Sequence, residues 1–436
     1  MQYTNQQTGF CKTQTGLLTQ VEASTVGRKP QLLSVLKGIC TMGRVNTEEI
    51  ADRERWLSAA PLTKEEIDRG LACCIAQIDA NMDAFGTKFP WSATKGLEYP
   101  VIENIEWTDG FWTGLLWLAY EVTGDEKYRE RAMENVSSFT NRVENKIELD
   151  HHDLGFLYTP SCVAACKLTG DQGARRAAIM AADQLLTRWR PKGKFLQAWG
   201  PTDSAEHYRF IIDCMLNVPL LYWASEETGD PKYRDIAAMH FKTTCDNIIR
   251  EDGSAFHTYY MNPETGGPDH GATRQGYSDD SAWARGQAWG MYGIPLNMRY
   301  LGDRSYLETW RAMSNYFLNR LPEDSICYWD LIFGDGSGQP RDSSAAAAAV
   351  CGMMEMAPML DADDADAPVY AGACNAIMRS LINGYTSDDH APLRPILYHG
   401  VYSWHSGKGV DEGNIWGDYY FMEALVRSSK RWNPYW

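Results

Sequence analysis

The sequence predicts an all-α fold built from helical hairpins, and two observations carry that prediction. A short phrase recurs along the chain, as AYEVTGDEKYRERA at 119–132 and ASEETGDPKYRDIA at 224–237, with looser copies at 166–178, 299–310 and 358–370. Each copy follows an apolar, aromatic-rich stretch of helical character. Signals for β-strands are weak, because only segments such as GKFLQAW and SICYWDLIFGD are typical of short strands.

The recurring phrase contains the residues that end one helix and begin the next. Its glycine, at positions 124, 170, 229 and 302, can adopt the left-handed conformation that follows a last helical turn. The aspartate after the glycine is a favourable N-cap, and Pro231 after Asp230 suits the first helical position. Each copy therefore predicts a helix, a tight turn and a second helix.

The arrangement of the hairpins follows from their irregular spacing. Helical hairpins can stack as an open solenoid or close into a ring. The long and variable loops between these copies favour a closed α/α toroid, with a site built by loops at one end and short strands at the rim. Residues 1–60 are more polar and less periodic, so we expect a leader that packs on the outside, with TEEIADRERWLSAA partly helical. Residues 61–436 are expected to form a single catalytic domain.

Composition narrows the possible ligands. The chain has 436 residues, with 41 Lys and Arg against 57 Asp and Glu, and a formal charge of −16. Such an acidic chain is not expected to bind nucleic acid through a broad basic face. An acidic ligand would need a few arginines or lysines placed locally. The 16 tryptophans and 23 tyrosines suit sugar rings, although aromatic residues more often fill a core.

Cellular location is predicted from cysteine use and from the apolar segments. The 11 cysteines include no CxxC pair, and an odd number in a chain of this length fits reduced thiols. The first residues lack the pattern of a secretory signal. The longest mostly apolar run, FIIDCMLNVPLLYWA, is too short to span a bilayer. We therefore expect a soluble, cytoplasmic protein without a membrane partner.

Two aspartates stand in apolar surroundings. Asp153 lies within HHDLGFLYTP, and Asp213 lies within YRFIIDCMLNVPLL. Burial raises the pKa of a carboxyl group, which is what a general acid needs at neutral pH. A structural aspartate held by backbone donors or an arginine would explain one such residue equally well, but a pair in an aromatic-rich chain favours glycoside chemistry.

Metal and cofactor sites are not predicted. His151 and His152 are adjacent, so on a helix they would point about 100° apart and would rarely share a metal. The sequence has no HExxH, no CxxC and no glycine pattern for nucleotide phosphates.

Four long motifs identify a family resemblance. HHDLGFLY, FIIDCMLNVPLL, QGYSDDSAWARGQAWG and GNIWGDYYFMEAL occur in order across about residues 100–430, and they resemble unsaturated glucuronyl hydrolases of glycoside hydrolase family 88. The resemblance implies a single (α/α)6 barrel. It also implies hydration of a C4=C5 vinyl ether: an acid protonates C4, water adds to C5, and the hemiketal opens to release the neighbouring sugar. No metal or cofactor is implied.

The resemblance also implies roles for individual residues. Asp213 falls on the catalytic acid/base, and Asp153 falls on the second essential carboxylate. Ring-stacking positions match Trp107, Trp199, Trp283 and Trp289, with Trp112 as a nearby alternative to Trp107. Polar positions around the uronate match His152, His257, Gln275 and Arg285, the last of which is expected to face the carboxylate.

Other prominent residues are expected to be structural. We interpret Asp279 and Asp280 as helix caps. Trp117, Trp223 and Trp310 are expected in the core or at the rim, and His399 and His405 are expected to form hydrogen bonds in loops.

A second set of residues concerns sulfate. In family members that act on sulfated glycosaminoglycan disaccharides, an arginine before the pocket glutamine is paired with a late Ser-x-x-Ser-x-Lys. Here Arg274 precedes Gln275, and Ser403, Ser406 and Lys408 supply the second part. We therefore favour unsaturated chondroitin- or hyaluronan-type disaccharides as small-molecule partners, with tolerance for a sulfate on the hexosamine.

Three alternatives stay open. A related hydrolase could act on unsaturated galacturonyl-rhamnose from pectin by the same chemistry. A sugar isomerase or epimerase could use the same type of barrel, and a binding module could hold the disaccharide without turnover. The sequence leaves open whether the protein is a monomer or a homodimer.

Overall fold

A computed structural model gives the structure of residues 45–436. Helices dominate this part of the chain, and the strands are short. The helices are α1 (Arg53–Leu57), α2 (Lys64–Phe85), α3 (Asp109–Thr123), α4 (Glu126–Glu144), α5 (Leu154–Tyr158), α6 (Ala164–Thr169), α7 (Gln172–Leu186), α8 (Cys214–Asn217), α9 (Pro219–Thr228), α10 (Pro231–Ile248), α11 (Ala284–Leu301), α12 (Leu307–Leu318), α13 (Ser343–Met356), α14 (Ala367–Gly384) and α15 (Ile415–Ser429). The prediction of an all-α fold is confirmed.

The described strands form small antiparallel sheets in the loops between helices. Their pairs are β1–β2, β3–β4 and β8–β9, and β5, β6 and β7 form a three-stranded sheet. The strands are β1 (Phe89–Pro90), β2 (Val101–Ile102), β3 (Trp189–Arg190), β4 (Phe195–Leu196), β5 (Arg209–Ile211), β6 (Thr258–Met261), β7 (Pro268–Ala272), β8 (Gly400–Ser403) and β9 (Lys408–Glu412). GKFLQAW thus contains β4, whereas SICYWDLIFGD forms only isolated bridges, between Tyr328 and Arg341 and between Trp283 and Asp330.

The recurring phrase forms the predicted turns. Gly124, Gly170, Gly229 and Gly302 each end a helix with positive φ. After the first three, the aspartate side chain accepts a hydrogen bond from the first turn of the next helix, as Asp230 does from the backbone N–H of Lys232 at 2.9 Å. The fourth copy differs, because Asp303 bonds to Ser305 and α12 begins only at Leu307.

The helices differ in burial. Nearly all residues of α3, α11, α13 and α15 are buried, and so are those of α5 and α8. Helices α4, α7, α10, α12 and α14 bury one face and expose the other. This alternation along the chain is what a stack of helical hairpins requires, because the second helix of each pair faces water.

The buried helices contact one another in chain order. Helix α3 packs against α5, α5 against α8, α8 against α11, α11 against α13, and α13 against α15. Helix α15 also packs against α3, so the last buried helix contacts the first. The aromatic core lies among these helices, where Tyr420 packs between Phe111 and Trp289 with ring centroids 5.5 Å from each.

The predicted leader is described only in part, because residues 1–44 lie outside the described residues. Within residues 45–60, α1 packs against α14, and Arg53 forms an ion pair with Asp366. Glu48 forms a second ion pair with Arg320, at 2.9 Å. In the described part of the chain, no helix is long and apolar enough to cross a membrane.

Candidate active site

A cavity of about 720 Å³ opens among the loops that carry the short strands. Every residue that the sequence predicted for catalysis, substrate binding or sulfate binding lines this cavity, with the exception of His152. The lining therefore brings together Trp107, Asp153, Trp199, Asp213, His257, Arg274, Gln275, Trp283, Arg285, Trp289, Ser403, Ser406 and Lys408.

The two aspartates reach the cavity from the starts of two short helices. Asp153 immediately precedes α5, and Asp213 follows β5 and precedes α8. Neither side chain caps the helix that it precedes. Both aspartates line the cavity, and so do His151 in the bridge before Asp153 and Ile211 in the strand before Asp213.

His152 lies behind the two carboxylates. Its Nε2 atom is 3.4 Å from Oδ1 of Asp153 and 3.3 Å from Oδ1 of Asp213, and its side chain is 1% exposed. Neither ring nitrogen meets the geometry of a hydrogen bond to a described residue, so the contact with Asp213 is mainly coulombic. Burial lowers the pKa of His152, but the two carboxylates outweigh burial and raise it.

The environments of the two carboxyl groups push their pKa values in opposite directions. Burial raises the pKa of Asp213, and the nearby Asp153 carboxylate adds to this effect, while His152 opposes it. Burial also acts on Asp153, but the charge of His152, the neighbouring ring of His151 and a hydrogen bond from Asn217 outweigh it and lower the pKa. Such a pair supplies one protonated and one ionised carboxyl group at the same pH.

The aromatic walls are of two kinds. Trp107 and Trp199 are partly exposed, whereas Trp283 and Trp289 are 4% and 1% exposed. Trp107 stacks on Trp416 at 5.4 Å, and its indole N–H donates to the hydroxyl of Tyr402 at 2.9 Å. The alternative to Trp107 is wrong as a platform, because Trp112 is buried against Phe85.

His257 is a neutral hydrogen-bond donor. Its Nδ1 atom accepts from the backbone N–H groups of Arg274 at 2.9 Å and of Gln275 at 3.3 Å. The ring proton must therefore lie on Nε2, which is buried and has no hydrogen-bond partner among the described residues. Burial and the nearby arginines, Arg285 first, lower the pKa of His257 to about 3, which keeps the ring neutral.

Arg285 is surrounded by acceptors. Its guanidinium donates to Asp342 and to the backbone carbonyls of Val401 and Tyr402, and it also donates to Oε1 of Gln275. The side chain is 1% exposed. These bonds fix the side-chain amide of Gln275 and attach strand β8 to helix α11.

The four predicted sulfate-binding residues all line the cavity. Ser403 ends β8, Lys408 begins β9 opposite it, and Ser406 lies in the turn between them. The ring of His405 in this turn bonds to the carbonyl of Gly276 at 2.7 Å, which ties the hairpin to the loop that carries Arg274.

The cations of this group rest on aromatic rings. Nζ of Lys408 lies 4.1 Å from the ring centre of Trp91 and 4.4 Å from that of Tyr402. The guanidinium of Arg274 lies 5.2 Å from the ring of Trp199. Burial lowers the pKa of Lys408 from its usual value. The two cations therefore line the cavity from two different segments of the chain.

Comparison with known proteins decides the family. The sequence model of the family Glycosyl Hydrolase Family 88 matches residues 82–383, which is more than half of the chain.

The chain belongs to glycoside hydrolase family 88.

Several relatives in family 88 are close over most of their length. The unsaturated chondroitin disaccharide hydrolase of Streptococcus pneumoniae is 56% identical over 393 residues, which is 90% of this chain and 99% of that protein. A crystal structure of an unsaturated glucuronyl hydrolase from Streptococcus agalactiae has a TM-score of 0.90 and 54% identity, and covers 91% of this chain and 100% of that one. An Asp-to-Asn mutant from the same organism, complexed with dGlcA-GalNAc6S, has a TM-score of 0.83 and 51% identity, with the same coverage. The resemblance stated from the motifs is confirmed, and the chain is a glycoside hydrolase.

The family 88 site contains residues that sequence reasoning missed. Glu106 lines the cavity and accepts from the indole N–H of Trp91 at 2.9 Å. Tyr402 lines it as well, beside Lys408. His151 was set aside as a metal ligand, but its Nδ1 atom accepts from the backbone N–H of Asp153 at 3.1 Å. Of these residues, Tyr402 could have been included from the sequence, because it stands next to Ser403.

Of the residues expected to be structural, the two aspartates differ from the prediction, whereas the tryptophans and histidines agree with it. Asp279 and Asp280 do not cap a helix, because α11 begins at Ala284 and Asp279 instead accepts from the backbone N–H of Thr273. The core residues were predicted correctly, since all three are at most 3% exposed: Trp117, Trp223 and Trp310. Hydrogen bonds in loops were also predicted correctly, for His399 with Asp411 and for His405.

One group of side chains in the site could hold a cation. His152, Asp153 and Asp213 each offer one ligand atom, and these atoms lie within 4.8 Å of one another. An imidazole and two carboxylates suit several divalent metals. The same group contains the two carboxyl groups with opposed pKa shifts. Activity measured after removal of metal ions therefore distinguishes a metal site from an acid and base pair.

Proposed function

We propose that this hydrolase hydrates the C4=C5 vinyl ether of the unsaturated glucuronate at the non-reducing end of glycosaminoglycan disaccharides made by lyases. The substrates are of the chondroitin sulfate or hyaluronan type. The products are the hexosamine and an unstable uronate that opens to a keto acid. The observation that carries the proposal is the opposed environment of Asp153 and Asp213 in one cavity that also presents aromatic rings and cations.

Asp213 is the proposed acid and base. Its raised pKa retains a proton that it can transfer to C4, and the resulting carboxylate can then assist the addition of water to C5. Asp153 is the ionised partner. It holds ring hydroxyls and stabilises the positive charge that develops at C5 and the ring oxygen.

The remaining residues orient the unsaturated ring. The partly exposed Trp107 and Trp199 are the proposed stacking surfaces, because flat aromatic faces suit a half-chair sugar. Trp283 and Trp289 contribute buried edges. The Nε2–H group of His257 donates to the uronate. Arg285 holds Gln275 and strand β8 in place, since its Nη1 and Nη2 atoms donate to acceptors within the protein.

The proposed sulfate site consists of Arg274, Ser403, Ser406 and Lys408. Two cations and two hydroxyls from linked loops offer charge-assisted hydrogen bonds to an anion beyond the uronate. Relatives of this chain support this choice, since one is an unsaturated chondroitin disaccharide hydrolase and another is complexed with dGlcA-GalNAc6S.

We also propose that the buried helices close into an (α/α)6 barrel with short strands at the rim. Contacts from α3 to α15 and back to α3 support this arrangement. Residues 61–436 are proposed as one catalytic domain. A monomer or a homodimer remains the prediction for oligomeric state.

Turnover on a panel of unsaturated disaccharides tests the function. We expect loss of the vinyl-ether absorbance and release of hexosamine with chondroitin-type disaccharides, and little turnover of the pectin-derived galacturonyl-rhamnose. The opposite preference would support the pectin alternative. If the protein binds the disaccharide but neither cleaves it nor removes its vinyl-ether absorbance, the result would support a binding module. Conversion without a new reducing end would support an isomerase or epimerase.

A further inference from the structure

The backbones of helices α5 and α8 are in contact close to the two aspartates that precede these helices. Gly155 lies in α5, two residues after Asp153, and Asn217 lies in α8, four residues after Asp213. A Cβ atom on Gly155 would lie 2.3 Å from Cα of Asn217 and 2.5 Å from its carbonyl oxygen. Only glycine permits this approach, so the contact fixes the separation of the two helix starts.

The side chain of Asn217 joins the same two helices. Its Oδ1 atom accepts from the backbone N–H of Phe156 at 2.9 Å, and its Nδ2 atom donates to the carbonyl of Asp213 at 3.2 Å. Nδ2 also donates to Oδ1 of Asp153 at 3.4 Å. One amide thus contacts both helices and one of the two carboxylates. The residue is 1% exposed and does not line the cavity.

The amide is the uncharged member of the group around Asp153. The titratable groups that face this carboxylate are His151 at 3.3 Å, His152 at 3.4 Å, and the more distant Asp213 and Tyr402. A neutral donor at position 217 favours the ionised form of Asp153 without adding a charge. A carboxylate in its place would keep the acceptor for Phe156 but would put a second negative charge beside Asp153.

We propose that Asn217 is a positioning residue that sets the placement of Asp153 relative to Asp213 and does not contact the substrate. The inference rests on the proposed function, because it assumes that both carboxylates take part in the reaction. It predicts that changes at position 217 act on kcat and on its pH dependence, and leave KM nearly unchanged.

Asn217→Asp is the direct test, because it is nearly isosteric. We expect kcat on an unsaturated chondroitin disaccharide to fall by about 10- to 100-fold, as for a small displacement of a reacting group. Since the second carboxylate raises the pKa of Asp153, the acidic limb of the kcat profile should move up by about one pH unit or more. KM should stay within about threefold of the wild-type value.

A matched control lies in α11, which packs against α8. The amide of Asn297 is fully buried and donates to the carbonyls of Met215, in α8, and Gly293 at 2.9 and 2.8 Å. None of its hydrogen bonds reaches Asp153 or Asp213. Asn297→Asp should therefore lower the melting temperature and leave the acidic limb in place.

Several outcomes overturn the inference. An unmoved acidic limb in Asn217→Asp, or an equal shift in Asn297→Asp, shows that position 217 is only structural. If Asn217→Asp does not fold, Asn217→Ala provides the same comparison, since it removes the donor, and a kcat unchanged in that variant also overturns the inference. Absence of turnover by the wild-type enzyme would instead contradict the proposed function, so the two failures are distinguishable.

Discussion

Asp153 and Asp213 occupy equivalent places in two helices: each immediately precedes a short buried helix, and neither side chain caps that helix. An aspartate at this position commonly accepts from the first turn, which would consume its carboxylate. Here the two carboxylates instead approach a single imidazole, at 3.4 and 3.3 Å from Nε2 of His152. This relationship gives the pair its chemistry, because His152 and the hydrogen bond from Asn217 lower the pKa of Asp153, whereas burial and the Asp153 carboxylate raise the pKa of Asp213.

Asp153→Asn should reduce kcat severely, by about 10²-fold or more, because the ionised group that stabilises the transition state is lost. Binding should persist, since the aromatic and cationic contacts remain. A crystal soaked with an unsaturated disaccharide tests this directly. A bound uronate remote from residue 153 would contradict the assignment of that residue.

The pH profile of kcat should be bell-shaped. Asp153 must be ionised, so activity falls as the pH drops through its pKa, which lies below the usual value for aspartate. Asp213 must be protonated, so activity falls as the pH rises through its pKa, which lies above the usual value. Measurement of kcat across the range of stability, checked by circular dichroism, tests the signs. An alkaline limb that persists unchanged in Asp213→Asn would show that another group is responsible.

Lys408→Ala should raise KM for a sulfated unsaturated disaccharide about tenfold. A charge-assisted hydrogen bond in a partly shielded cleft contributes roughly 1–3 kcal/mol, and each 1.4 kcal/mol is a factor of ten. The effect should appear in KM if the sulfate is held equally in the ground and transition states. Arg274→Ala should behave alike, and added salt should weaken the sulfated substrate more than the unsulfated one.

The unsulfated disaccharide is the internal control for these two variants. It has no group to lose at the proposed anion site, so its KM should change little. Equal effects on both substrates would show that the β8–β9 turn is an ordinary loop rather than a sulfate site.

Treatment with a chelator should leave kcat unchanged. Asp153 and Asp213 are the proposed acid and base pair beside His152, although the ligand atoms of all three residues also suit a cation. Turnover after dialysis against a chelator, with and without added divalent metal, tests this assignment. Loss of activity that metal restores would show that the three residues hold a metal ion.

Local turn chemistry explains why the helical hairpins could be predicted. A glycine with positive φ followed by a capping aspartate acts within a few residues, as at Gly229 and Asp230, and needs no tertiary contact. The copy at Gly302 shows where this local prediction fails. Its aspartate, Asp303, accepts from the backbone N–H of Ser305, and the next helix starts only at Leu307.

The residues that line the cavity could be predicted from sequence motifs. The hydrogen bonds that hold those residues in place could not. Asn217 lies in the apolar run that marks Asp213, yet its bonds to α5 join residues that are 61 and 64 positions apart. Arg285 is expected to face the carboxylate of the uronate, and that expectation stays a prediction, but its hydrogen bonds to strand β8, more than 100 positions away, were not predicted. Such contacts depend on which loops meet, and residue type alone does not carry that information.

Turnover in D2O, compared between the wild-type enzyme and Asp213→Asn, tests the central claim most directly. The wild type should lose the vinyl-ether absorbance in step with hexosamine release, and the uronate product sampled in the first turnovers should carry one deuterium at C4. Asp213→Asn should lose both signals by about 10²–10⁴-fold while its circular dichroism is unchanged, since asparagine cannot transfer a proton. The buried Asp418, which is outside the cavity lining, provides the control Asp418→Asn, in which stability should fall and deuterium incorporation should persist. Hexosamine release without deuterium at C4, or near-normal kcat in Asp213→Asn, would contradict the account.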